Sequence, residues 1–175
     1  MRQRPLPVKM FCGLIGSEES IGEAERLLAA ELGPVDLRSP FLPFDFTDYY
    51  EDEMGAGLKR RWIAFERLRE RAYLASAKHD ATILERGLSE GGRRRVNLDP
   101  GYVDDAQVVL STAKNFSHRI YIGKGYYAEV TLIRMRTGLK AMEWTYPDYK
   151  SGQGLEFFEE ARTVYHRQLR SIDAG

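Results

Sequence analysis

With only one cysteine, Cys12, in 175 residues, the chain can form no intrachain disulfide, which suits a reducing compartment. Surplus charge is missing as well: 26 Lys and Arg stand against 26 Asp and Glu, a formal net charge of zero. A dedicated duplex-DNA or RNA binder usually carries a basic excess, so this balance argues against that class while leaving room for a local basic patch. No apolar run approaches the length of a membrane span. The start, MRQRPLPVKMFCGLIG, places basic residues before an apolar stretch. Gly13 and Gly16 interrupt that stretch and no cleavage site follows, so it reads as a first strand rather than a leader. These absences lead to the expectation of a soluble, cytoplasmic protein with no membrane contact. The three histidines, 79, 118 and 166, and the single cysteine show no zinc-ligand spacing.

What is present is ordinary for one globular domain over 1–175: 43% hydrophobic and 30% charged residues, enough chain for one substantial core. Lys9 to Ile15 is compact and apolar, bounded by proline and glycine, and predicts a buried strand. Ser20-Ile-Gly-Glu23 has the form of a capping box, after which Ala24, Leu27, Leu28 and Leu32 keep helical spacing until Gly33-Pro34. Val35 and Leu37, then Phe44 and Phe46, alternate with polar residues, but Pro40 and Pro43 confine this segment to an edge or broken strand. Residues 58–68 fit a returning strand, making a hairpin with its tip near Glu53-Met54-Gly55. They fit a helix equally, through Leu58, Trp62, Phe65 and Leu68. Residues 71–88 predict a helix with Leu74, Ala77, Ala81, Leu84 and Leu88 on one face. Strands are expected at Val96–Leu98, Gln107–Thr112, Arg119–Ile122, Tyr126–Met135 and Leu139–Trp144, and a last helix through Leu155, Phe158, Tyr165 and Leu169. The expected class is α+β: a ferredoxin-like β-α-β-β-α-β start extended by an antiparallel meander, with helices on one face of the sheet.

Several blocks carry a resemblance. NLDPGY (97–102), PFDFTDYY (43–50), STAKN (111–115), HRIYIG (118–123), YAEVTL (127–132) and WTYPDY (144–149) resemble, in order and over nearly the whole chain, the bacterial and archaeal family called domain of unknown function 4416. The resemblance implies kinship and no activity. An ordinary GTPase site is not written here, since no G-x-x-x-x-G-K-[ST] loop is present and Gly123-Lys124-Gly125 fits a hairpin turn.

Five segments carry candidate chemistry. Asp99-Pro100-Gly101-Tyr102 suits a type II turn, with glycine at positive φ, that aims Asp99 and Tyr102 into a cleft; the plainer reading is a turn capped by Asp99. The stretch 45–53, DFTDYYEDE, is rich in carboxylates and phenols, as hard cations require, or is a solvated acidic hairpin tip. Lys114, His118 and Arg119 in one loop suit a clamp for a phosphate or carboxylate. Glu129, in the alternation Tyr127, Glu129, Thr131, either pairs with an arginine such as Arg119 or serves a site. Trp144, Tyr146 and Tyr149 gather at a strand exit, as a pocket lid or as core cover. The leading expectation is a domain that binds a small anionic ligand, a nucleotide or phosphorylated metabolite. Lys114, Arg119, Tyr102 and Tyr146 would bind it, and Asp99, Glu129 and His118 would be the catalytic candidates. Asp99 and Glu129 could instead hold a divalent metal. An RNA-binding or RNA-processing module is the alternative, with Arg93, Arg94 and Arg95 along phosphates and Tyr121, Tyr126, Trp144 and Tyr146 stacking bases. A third is a protein-interaction domain using the acidic, tyrosine-rich segment 45–53.

Overall fold

A computed structural model describes residues 5–173; the basic start considered as a leader lies partly outside them, at residues 1–4. The first strand, β1 (Val8–Gly16), is buried at all nine positions because it has strands on both sides and helices over both faces. Its side chains alternate between two cores. Val8, Met10, Cys12 and Leu14 join one, and Phe11 joins the other.

From β1 the chain enters α1 (Glu18–Leu32), crosses to the short strands β2 (Val35–Arg38) and β3 (Leu42–Pro43), passes a single helical turn, α2 (Glu51–Met54), and returns as β4 (Lys59–Arg69). A 3-10 turn leads to α3 (Leu74–Gly87) and then β5 (Val96–Val103). The second half is a meander of β6 (Gln107–Thr112), β7 (Ile120–Gly123), β8 (Tyr126–Met135) and β9 (Gly138–Ala141), closed by α4 (Gly152–Asp173). All strands join one antiparallel sheet in the order β2-β4-β1-β5-β6-β8-β7, with β3 beside β4 and β9 beside β8. Among the described residues no helix is long and apolar enough to cross a membrane.

The α+β class holds, and four details differ from the sequence reading. The first is α4, which does not share a face with α1 and α3. Ile21, Leu28, Leu74, Ala77 and Ala81 cover Met10, Cys12, Ile63 and Phe65 on one side. Phe157, Phe158 and Ala161 of α4 cover Phe11, Trp62, Ala64 and Leu132 on the other. Helices therefore lie on both faces. The second is the start of α1. Ser17 is its N-cap, accepting from Ser20 N–H at 3.1 Å, while Ser20 itself turns inward to donate to the Arg95 carbonyl. The third is the acidic segment 45–53: β3 and β4 do pair as a hairpin around it, but the segment itself is not strand and runs irregularly into α2.

The fourth is DPGY, which is not a turn at all. Asp99, Pro100, Gly101 and Tyr102 lie inside β5, opposite Gly13, Cys12, Phe11 and Met10 of β1. Gly101 has no positive φ. It is needed for a different reason: a Cβ there would lie 2.3 Å from both Phe11 Cζ and the Val109 carbonyl oxygen. Gly101→Ala should therefore destabilise by overpacking, about 1–3 kcal/mol, with no change in the turn content of the chain. Urea unfolding checks this; a variant as stable as the parent would mean that β1, β5 and β6 can separate to admit a methyl group.

Candidate functional site

Pro100 decides where the site forms. Its carbonyl accepts from Ser111 Oγ at 2.5 Å, so its backbone faces β6 and its missing N–H is on that side. The β5–β6 ladder accordingly runs only from Val103↔Val108 to Gly101↔Leu110 and stops there. Beyond it the strands part, and a cavity of about 560 Å³ opens between them, within the range of small-molecule sites. Its floor is Ile15, Asn97, Asp99 and the stretch Leu110–Lys114. Lys78, Thr82 and Glu85 of α3 form one wall, and Arg60, Asp148 and Tyr149 the other. Phe44, Phe46, Tyr49, Tyr50 and Tyr146 make an aromatic lip.

The α3 wall repairs the backbone that β6 abandons. Leu98 N–H donates to Glu85 Oε1 at 2.6 Å, and the Leu98 carbonyl accepts from Lys78 Nζ at 2.7 Å. Buried backbone groups are nearly always paired, and here two charged side chains take the place of a strand. Lys78 Nζ also reaches Asp99 Oδ1 at 3.2 Å, and Asn97 Nδ2 donates to Asp99 Oδ2 at 2.7 Å. Burial raises the Glu85 carboxyl above its ordinary range, against the pull of Lys78 and the Leu98 bond. Burial disfavours the Lys78 ammonium too, but the Asp99 and Glu85 carboxylates outweigh it and hold its pKa above the ordinary lysine value.

In the opposite wall, Arg60 Nε and Nη2 both donate to Asp148 Oδ2 at 2.6 Å, and this pair is almost fully buried. The guanidinium lies 5.4 Å from the ring centres of Phe44, Trp62 and Tyr149. Arg60 Nη1, Trp62 Nε1 and the Tyr149 hydroxyl are buried together. Trp62 lies close enough to donate to the phenol oxygen, which leaves Arg60 Nη1 and the Tyr149 hydroxyl, as donors, without an acceptor. Both crowd over Gly13, where an added Cβ would meet them at 2.7 and 2.6 Å. Burial raises the phenols of Tyr149, Tyr50 and Tyr146 above the usual tyrosine value, so all three keep their protons and can donate.

Glu129 comes from β8. Its Oε2 accepts from Arg119 Nε at 2.8 Å and lies 2.9 Å from His118 Nε2, while its Oε1 is buried without a partner. His118 stacks on Trp144, with ring centres 4.7 Å apart and planes 12° from parallel. Arg119 also donates to the Lys114 carbonyl and to Tyr146 Oη, at 2.9 and 3.3 Å. At the lip, Lys114 Nζ reaches Tyr49 Oη at 3.3 Å and has no carboxylate partner among the described residues.

Of the residues expected from sequence, Asp99, Glu129, Lys114 and Tyr146 line the cavity together. His118 and Arg119 stand behind its wall, holding Glu129. Tyr102 lies in the core beneath α1 and α3, with the Arg71 guanidinium 5.7 Å from its ring centre. Of the four carboxylate oxygens that Asp99 and Glu129 would offer a cation, only Glu129 Oε1 is unpartnered. Both Asp99 oxygens are held by Lys78 and Asn97, Glu129 Oε2 is held by Arg119, and no group of three or more His, Cys, Asp or Glu among the described residues could hold a metal ion. Of the groups considered for RNA, Arg94 pairs with Glu53, Arg95 with Glu23 and Glu90, and Tyr126 is buried, while Arg93, Tyr121 and Tyr146 are exposed.

Lys78, Glu85, Arg60 and Asp148 were not singled out by the sequence reading, although a signal existed for α3. Leu74, Lys78, Ala81, Glu85 and Leu88 advance by four and three residues, so both charges sit in the core stripe. The family model for the domain of unknown function (DUF4416) matches residues 6–165. Neither the comparison with curated proteins nor that with solved structures gives a match.

Two predictions test this geometry. Lys78→Met should cost about 1–3 kcal/mol, because the Leu98 carbonyl loses its donor; chemical unfolding would show it, and an unchanged midpoint would mean that Lys78 closes nothing. The second concerns the lip. Glu53 takes four bonds from Arg94, through the backbone N–H, Nε twice and Nη2, and this clamp ties α2 to the start of β5. Bonding to Arg94 lowers the Glu53 pKa from 4.5. The clamp is therefore complete above that value and is lost as the pH falls through the lowered one. Amide exchange in 45–55 should accelerate on acidification and, in Glu53→Gln, be faster already at neutral pH. Exchange that does not depend on pH beyond its chemical rate would contradict the clamp.

Proposed function

This chain belongs to the DUF4416 family, and we propose that it binds a small molecule carrying an oxyanion, a carboxylate or phosphate, in the cleft between β5 and β6. The observation that carries this reading is the pair Arg60 Nη1 and Tyr149 hydroxyl: two donors buried in the cavity wall with no acceptor in the protein. Buried donors without an acceptor call for an explanation, and unlike Arg69, whose Nε is also unpaired, these two residues line a cavity. An oxyanion accepts from both at once, and a hydrogen bond between a charged donor and an oxyanion is among the stronger ones. Neither atom is open to solvent, so the ligand oxygen seats with a local shift of the wall. Lys114 at the lip adds a cation that no carboxylate among the described residues neutralises, and the aromatic lip suits a planar or apolar portion. Nucleotides and phosphorylated metabolites meet these requirements. Asp99, expected to act directly, is better read as the counter-ion of Lys78. The buried, single Cys12 suits a reducing, cytoplasmic setting. The strand order β2-β4-β1-β5, with α1 and α3 as crossovers, supports reading the first half as a ferredoxin-like plait.

Tyr149→Phe is the cleanest test. Tyr149 stacks on Phe158, with ring centres 5.5 Å apart and planes at 16°, and the substitution keeps that ring while deleting one donor. The melting temperature should change little, because the unmatched phenol proton is removed while Trp62 Nε1 loses the oxygen beside it. Stabilisation by phosphate, ribose 5-phosphate or nucleoside monophosphates should fall at least tenfold in apparent affinity, as for a lost bond to a charged group. Arg60→Gln is a poorer probe, since it strands Asp148 in the wall. If parent and Tyr149→Phe give equal shifts with every compound, the oxyanion does not sit at this wall.

A further inference from the structure

We infer that the ligand also carries hydroxyl groups, one of which donates to Glu129 Oε1, so that the cleft selects a hydroxylated oxyanion of the sugar-phosphate or sugar-acid class. This rests on the oxyanion reading above and adds a second, separate anchor. Glu129 is buried in β8 and lines the cavity, with one oxygen held by Arg119 and His118 and the other without a partner. A buried carboxylate oxygen calls for a donor, which a ligand O–H or N–H at the cavity wall supplies; the oxygen is closed to solvent, so that group reaches it by a local shift.

The surroundings decide which. A ligand ammonium is disfavoured, because Arg119 already faces the Glu129 charge, the Asp99 and Asp148 carboxylates are taken up by Lys78 and Arg60, and the Lys114 ammonium stands at the lip of the same cavity. A neutral donor remains. Arg119 bonds Glu129 through Nε and Tyr146 Oη through Nη2, which sets that phenol beside the carboxylate. The Tyr146 oxygen accepts from Arg119 and keeps its own proton to give. Side by side, therefore, stand an acceptor and a donor. A hydroxyl satisfies both, donating to Glu129 and accepting from Tyr146, whereas an N–H satisfies only the first. Arg119 is a positioning residue here: its fork fixes the distance between the two contacts, and its third bond, to the Lys114 carbonyl, ties them to the loop that carries the lip cation.

The test is calorimetric titration of the full chain with four probes: inorganic phosphate, ribose 5-phosphate, ribonate, and tetrahydrofurfuryl phosphate, which keeps the ring and phosphate without the hydroxyls. Ribose 5-phosphate should bind about tenfold to hundredfold more tightly than tetrahydrofurfuryl phosphate. Ribonate in place of ribose 5-phosphate tells a carboxylate site from a phosphate site. Glu129→Gln, which offers an amide donor where the second oxygen stood, should abolish the advantage of the hydroxylated ligand while phosphate binds as before. Equal affinity for ribose 5-phosphate and tetrahydrofurfuryl phosphate overturns the inference and leaves the oxyanion site standing; that comparison needs no variant and so does not depend on how Glu129→Gln folds. A Glu129→Gln protein that folds and keeps the full advantage also overturns it. If the parent binds none of the four, the oxyanion reading falls, and this inference with it.

Discussion

The missing N–H of Pro100 is the constraint on which the rest of the cleft depends. A proline in a central strand is normally excluded because the ladder needs its donor. Here the strand is central only toward β1, where Pro100 sits opposite Cys12 and gives up nothing. Toward β6 the donor is absent, Ser111 answers the carbonyl with its hydroxyl, and pairing ends. N-terminal to that point, the β6-facing side of β5 presents its backbone groups to a neighbour that has left, while the other side stays paired with β1. Lys78 and Glu85 on α3 follow from this, since the Leu98 carbonyl and N–H must find partners. The cavity is the space between a strand that stops pairing and a helix that takes over its hydrogen bonds.

Buried charge holds the surrounding frame in the same way. Lys9, fully buried in β1, donates to both oxygens of Asp36 on β2, to the Phe65 carbonyl on β4 and to Gln168 on α4. Burial lowers its pKa despite that company. One ammonium thus joins three strands to the closing helix. Arg60 and Asp148 do likewise between β4 and the segment leading into α4. Such pairs add little net stability over apolar residues of the same shape, but breaking one strands a charge, at about 3–5 kcal/mol. Their effect is to fix one arrangement, and both lie in the half of the molecule that α4 covers.

The sequence is legible wherever local pattern and tertiary role agree. β1, α3, β8 and the hairpin at Lys124-Gly125 are of this kind: an apolar run, a helical stripe, an alternation, and a turn in which Lys124 and Gly125 both take positive φ. Legibility fails where tertiary structure reverses a local signal. Residues 59–69 read equally as helix or strand because Ile63 and Phe65 face one core while Trp62 and Ala64 face the other, which erases the alternation. Proline and glycine in DPGY spell a turn locally, yet one is placed to end a ladder and the other to admit Phe11. The face covered by α4 is invisible to periodicity, which shows that a helix has an apolar stripe but not which layer receives it. For the site, the pattern that exposes Asp99, Glu129, Lys114 and Tyr146 is polarity at strand ends. Arg60, Lys78 and Glu85 are hidden by the opposite circumstance, being charged residues at positions whose spacing marks them as core.

That circumstance separates two kinds of buried polar residue around one cavity. Lys78, Glu85 and Asp99 are closed among themselves and with the Leu98 backbone, so they explain the shape of the cleft. Arg60, Tyr149 and Glu129 each make their structural contacts and still retain one buried donor or acceptor with nothing to meet it. Leaving such an atom unpaired costs about 1–3 kcal/mol, a sizeable share of the 5–15 kcal/mol that holds a typical domain together. Departures from local consistency of this kind concentrate at functional sites. Two donors on one wall and one acceptor held beside the lip give the cleft a polarity that its structural role does not require, and that polarity is what a ligand with an oxyanion at one end and a hydroxyl at the other would complete.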